Sequence, residues 1–157
     1  MKTINRLLEY ADKALSASNI IENNLIKEVF KGYIASFGPA IIQNGLSAAL
    51  AINMRTEGDA KDLKTAETSM KTLILAINMR TEGDAKEKIK IVDAIVYILK
   101  NGFDNKYDNI NNADDLLDLS CKSETSIRTN RLLKEDVINA SVALKHMMRT
   151  YKFKEKE

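Results

Sequence analysis

Asp84–Gly102 reads DAKEKIKIVDAIVYILKNG, and Ile89, Val92, Ile95, Val96 and Leu99 recur at the three- and four-residue steps of one helix face. Asp84 with Glu87 three residues later is a capping-box-like start, and Gly102 closes the segment. The reading is therefore a long amphipathic helix.

The same periodicity extends in both directions. Toward the N-terminus, Ile4, Leu7, Leu8, Ala11, Ala14 and Leu15 mark a first helix. A second is expected from about Glu22 to Ser36, with Leu25, Ile26, Val29, Phe30 and Tyr33 on one face. Gly38 is read as its stop and Pro39 as the first residue of a third helix, where a missing N–H costs nothing. That third helix carries Ile41, Ile42, Leu46, Ala49 and Leu50, and Asp59 caps a fourth with Leu63, Ala66, Met70, Leu73, Ile74 and Ile77.

Beyond Gly102, FDNKYDNINN (Phe103 to Asn112) is a polar loop, followed by a short helix around Ala113 to Ser120. A last long helix follows from Leu133, Val137, Ala140, Ser141, Leu144, Met147, Met148 and Tyr151, and the tail from Lys152 to Glu157 is expected to fray. One proline, six glycines and no tryptophan in 157 residues leave room mainly for helices. The expected fold class is all-α, a compact helical bundle of about five to seven helices forming one domain over residues 1–157.

Leu50 to Lys61 reads LAINMRTEGDAK, and Leu75 to Lys86 repeats it letter for letter. A solenoid needs three or more degenerate copies, so two identical ones point to a tandem duplication rather than a repeat architecture. The TEGD element offers Glu57 with Asp59, and Glu82 with Asp84, as carboxylates on a glycine turn. Two such ligands are too few for a calcium loop, and a helix stop followed by an N-cap explains them.

Several function classes are excluded by what is missing. One cysteine, Cys121, permits no internal disulfide, and with the single histidine, His146, it cannot build a Cys/His zinc site. No Gly-rich phosphate loop or nucleophile elbow occurs, and nothing orients a Cys121–His146 pair. No catalytic residues, metal site or cofactor are expected. The N-terminus MKTINRLLEYADK has no apolar signal core, and no apolar run nears the roughly 18 residues of a membrane span, so a cytoplasmic protein is expected.

The net charge of +2 implies no partner by itself, but its distribution is uneven. Asp104 to Asp118 holds five aspartates against one lysine, whereas Lys145 to Lys156 holds five basic side chains against Glu155. A solvated helix face accounts for such a run, and so does a phosphate-binding face. Lys27 and Lys31, and likewise Lys145 and Arg149, stand one helical turn apart, with Lys152 just beyond, and pairs of this kind suit phosphates, which need charge rather than base-reading geometry.

Ser36–Leu46, SFGPAIIQNGL, leading into SAALAI, resembles a segment with a core Asn-Gly-Leu in the small helical subunit of type III-B CRISPR (Cmr) effector complexes. A lysine-rich helix precedes that segment in the family, as Lys27 and Lys31 do here. Leu144–Lys145–His146–Met147 is similar to the family's C-terminal Leu-Lys-Arg-aromatic pattern. Ala143 stands where a tryptophan is common, and His146 and Met147 stand for arginine and phenylalanine. The resemblance implies a non-catalytic subunit that stacks along an RNA-guided complex, contacts the other subunits and supports guide and target RNA in antiviral defence. The RNA-backbone contacts it implies are Lys27, Lys31, Lys145 and Arg149, with His146 and Lys152 beside them. Asn44, Gly45 and Leu46 are implied as a packing or subunit-contact motif, Gly45 admitting a neighbouring helix closely. The alternative is a helical adaptor or antitoxin-like protein-interaction module that makes no RNA contact.

Overall fold

The structure is a computed structural model that describes residues 2–54, 82–123 and 126–154. The expected fourth helix, the residues Glu57 and Asp59, and most of both repeat copies lie outside them. In chain order the elements are α1 (Lys2–Ala17), β1 (Ile21–Glu22), β2 (Leu25–Lys27), α2 (Glu28–Asn44), α3 (Leu46–Met54), α4 (Glu82–Gly102), α5 (Ala113–Ser123), α6 (Ile127–Met148) and β3 (Lys152–Lys154). Six helices among the described residues make the chain an all-α bundle, with one small sheet at its edge.

Burial of α4 organises the bundle. It packs against α1, α2, α3, α5 and α6. Ile91, Val92, Ala94, Ile95, Val96, Ile98 and Leu99 are all buried, covering most of the circumference rather than one stripe. A helix apolar on so many sides is a core helix. The expected face is thus widened: Ile89 is only half-buried, and Ile91 and Ile98 join the core. The helix also starts at Glu82, so Gly83 and Asp84 lie in its first turn rather than before it. The last residue, Gly102, lies against α1, where an added Cβ would come within 2.6 Å of a Leu7 methyl.

Around α4, α1 buries Leu7, Ala11, Ala14 and Leu15 against α4 and α6. It ends in a Schellman motif: Ile20 N–H donates to the Leu15 carbonyl and Asn19 N–H to that of Ser16, with Asn19 left-handed at φ 53°. The tie between α1 and the chain end is side-chain to side-chain, since the Tyr151 hydroxyl donates to Asp12. In the loop after α4, Tyr107 is buried and its hydroxyl donates to Asp136 of α6 at 2.6 Å, beside Lys106 at 2.5 Å. Burial and this bond push the phenol well above its usual range. The α5 start is capped by Asn112, whose side chain accepts from Asp115 N–H, while Asp115 accepts from Asn111 N–H.

Two expectations fail between residues 19 and 46. Residues 22–27 form a hairpin instead of the start of a helix, because Asn23 and Asn24 both take positive φ (53° and 61°), as a two-residue type I′ turn requires. The break expected at Gly38–Pro39 is also absent, and α2 runs through both. Phe30, Ile34, Phe37 and Ile41 form one continuous buried row across the proline, and that burial outweighs the hydrogen bond Pro39 cannot donate.

The true break is Gly45, at φ 84° and ψ 165°, whose N–H donates to the Ile41 carbonyl before Leu46 opens α3. Among the described residues nothing lies within 4 Å of where its Cβ would be, and the positive φ is the reason the structure gives for glycine here. Asn44 is exposed and Leu46 buried. Gly45→Ala is expected to cost about 1–3 kcal/mol of unfolding free energy by urea titration. An unchanged midpoint would show that the junction tolerates an ordinary backbone.

The tail expected to fray is ordered over Lys152–Lys154, where β3 pairs in parallel with β2: Leu25 with Lys152, Ile26 with Phe153, Lys27 with Lys154. Ile26 is fully buried and Phe153 half-buried, which anchors the strand. The described parts of the repeat serve different elements: Leu50–Met54 of the first copy ends α3, and Glu82–Lys86 of the second opens α4.

Candidate nucleic-acid interface

Helices α2 and α6 pack side by side, and β3 returns from the end of α6 to pair with the strand that feeds α2. This topology brings three sequence-distant segments to one edge of the bundle. Lys31 lies one turn into α2, Lys145 and Arg149 lie at the end of α6, and Phe153 is the middle residue of β3. Together they line a groove of about 160 Å³. Ile34, Ala35 and Met148 complete its lining, so its walls are apolar and its rim is cationic.

The Lys31 ammonium lies 5.6 Å from the centroid of the Phe153 ring, a cation–π contact that spans α2 and β3. Among the described residues no carboxylate lies within 4.0 Å of Lys31, Lys145 or Arg149. Lys145 lies in the last turn of α6, where a cation offsets the partial negative charge of the helix end. That effect favours some basic residues at this site whatever they bind. It does not explain Lys31, which belongs to another helix.

Of the six residues expected to meet RNA, the structure gathers Lys31, Lys145 and Arg149 around the groove. Lys152 is exposed on β3 beside Phe153. His146 is exposed but does not line the groove. Lys27 is separated from the group: it ends β2 instead of sharing a helix with Lys31, and its ammonium donates to Glu87 of α4 at 2.9 Å, with Glu22 at 3.9 Å. That bond to Glu87 raises its pKa above the ordinary lysine value. Lys27 serves the fold by joining the hairpin to α4. Asn44 to Leu46 lie roughly 20 Å along α2 from Lys31 at 1.5 Å per residue, well away from the groove.

Phe153 and Met148 were not singled out as site residues by the sequence reading. The available signal was the alternation Lys152–Phe153–Lys154, whose exposed–half-buried–exposed pattern is that of a strand.

Cys121 is exposed near the turn between α5 and α6, and His146 lies about 28 Å along α6 from its start, so the two are not assembled as a nucleophile and base. Among the described residues no three His, Cys, Asp or Glu side chains are grouped to hold a metal, and no helix is long and apolar enough to cross a membrane.

A family model described as CRISPR-associated protein (Cas_Cmr5) matches residues 6–151. No curated protein and no solved structure matches the chain.

Proposed function

The chain belongs to the CRISPR-associated Cas_Cmr5 family, the small subunit of type III-B CRISPR complexes, and from that premise we propose that it is a non-catalytic subunit that helps hold RNA. Its partners are the other subunits of the complex, with guide and target RNA as the nucleic acid. The observation that carries the RNA contact is the convergence of Lys31, Lys145 and Arg149 from two helices on one face, with no carboxylate among the described residues within 4.0 Å of them. Two or three cations on a rigid face hold successive phosphates without reading bases. Sequence selection then rests with guide–target pairing and cleavage with other subunits. Several copies stack along the complex.

An adaptor without RNA contact is supported by different residues, Ile42 at 67% exposure and Ile127 at 90%, which are large apolar side chains left in solvent. These suit contacts with neighbouring subunits and are compatible with both readings. The basic groove favours the first.

The test is native mass spectrometry of this chain co-expressed with the other type III-B subunits and a guide RNA. Incorporation in one or more copies is expected. Exclusion from an otherwise complete particle would overturn the proposal, provided that a variant lacking residues 51–75, which keeps one copy of LAINMRTEGDAK, is excluded too. If the shortened variant alone enters, the duplication blocks docking and the subunit role stands.

A further inference from the structure

Resting on the reading that this face meets RNA, we propose that the groove between α2, α6 and β3 receives a single unpaired nucleobase, with the flanking phosphates on Lys31, Lys145 and Arg149. A surface that only tracks a phosphate backbone needs charge and no hollow. Here the cations surround a hollow walled by Ile34, Met148 and Phe153. Phe153 is half-buried and supplies the accessible apolar surface, while Met148 at 1% and Ile34 at 4% exposure lie beneath it as the floor.

Size and charge narrow the occupant. About 160 Å³ is well below the roughly 300–1,000 Å³ of a pocket that encloses a whole small molecule. It suits one flat ring system whose remainder lies outside. The rim demands an anion, and in single-stranded nucleic acid every repeat joins a π-face to a phosphate. An acidic peptide matches the rim but offers carboxylates, not rings, to the apolar wall. The apolar lining, Ile34, Ala35, Met148 and Phe153, offers no side-chain hydrogen bond with which to choose among the four bases.

The experiment compares two six-nucleotide single-stranded RNAs, one with 2-aminopurine at a central position and one abasic there, titrated with the full chain across a salt series. The base-bearing RNA is expected to bind about tenfold more tightly, as stacking on one aromatic implies, with a change in 2-aminopurine fluorescence as the base leaves its stacked neighbours. Phe153→Leu keeps an apolar residue in β3 and should remove most of the tenfold gap and the fluorescence change while leaving the salt slope unchanged. Ala35→Phe, at an exposed α2 position that leaves β3 untouched, should do the same by filling the hollow. Equal affinities with a normal salt slope would overturn the base site and leave the backbone contact standing. Failure of both RNAs to bind would overturn both. A glutamate-rich peptide that binds more tightly than either RNA, and is lost in Ala35→Phe, would assign the groove to a protein partner and also sink the proposal.

Discussion

Leu99→Ala is expected to lower the unfolding free energy by about 2–5 kcal/mol, the range for removing a large side chain from a core that relaxes only in part. Leu99 is fully buried on α4, the helix that touches all five others among the described residues. A cavity there cannot be closed by moving one neighbour, because the helix is packed against several others and Ile95 and Ile98 on it are also fully buried. Most globular domains are stable by only about 5–15 kcal/mol, so this one change removes a large share. Ile127→Ala is the control: its side chain is 90% exposed, and its effect should stay within about 0.5 kcal/mol. Urea titration of both variants decides the matter. Equal, small effects would mean that α4 is not the centre of the core.

How far the sequence carries the fold depends on where each decisive interaction is made. The α4 and α6 helices were legible because their apolar spacing is local and uninterrupted, and the α5 segment because loop and helix differ in composition. The α2 boundary was not legible. Gly38 and Pro39 are strong local signals for a break, and only the buried row Phe30–Ile34–Phe37–Ile41, a tertiary fact, overrules them. The hairpin did carry a readable sign, since consecutive Asn23 and Asn24 both tolerate positive φ, but Leu25, Ile26 and Val29 also fit a helical face. β3 exists only because Ile26 and its neighbours lie ready to pair with it, more than a hundred residues earlier in the chain.

The candidate site divides along the same line. Lys145 and Arg149 share a helix face, so their grouping was legible. That Lys31 joins them depends on α2 packing against α6, and that Lys27 does not depends on Glu87, sixty residues away. The Asn44–Gly45–Leu46 element, the most specific part of the family resemblance, combines an exposed residue, a backbone turn only glycine makes readily, and a core leucine. Substitutions at the two places should act differently: changes at Gly45 on stability, changes at the groove on RNA.

Reversing two groove charges is the sharper case. Lys31→Glu with Lys145→Glu is expected to weaken binding of single-stranded RNA by roughly 25-fold at 0.1 M salt through lost counterion release alone, and by about a hundredfold once repulsion is added. The plot of log affinity against log salt should flatten by roughly 1.4, two contacts at about 0.7 each. The fold should survive. Neither lysine has a carboxylate partner among the described residues. What is lost is the Lys31–Phe153 contact, worth about 0.5–1 kcal/mol at an exposed site, and a favourable charge at the α6 end, worth about 0.3–1 kcal/mol. Lys27→Gln supplies the contrast, since its ammonium already serves Glu87: it should leave the salt slope unchanged while loosening the hairpin from α4. If the double reversal leaves affinity and slope intact in a protein that still unfolds cooperatively, RNA does not meet this face. If Lys27→Gln flattens the slope as well, the phosphates run along β2 and the groove is only the edge of a wider basic surface.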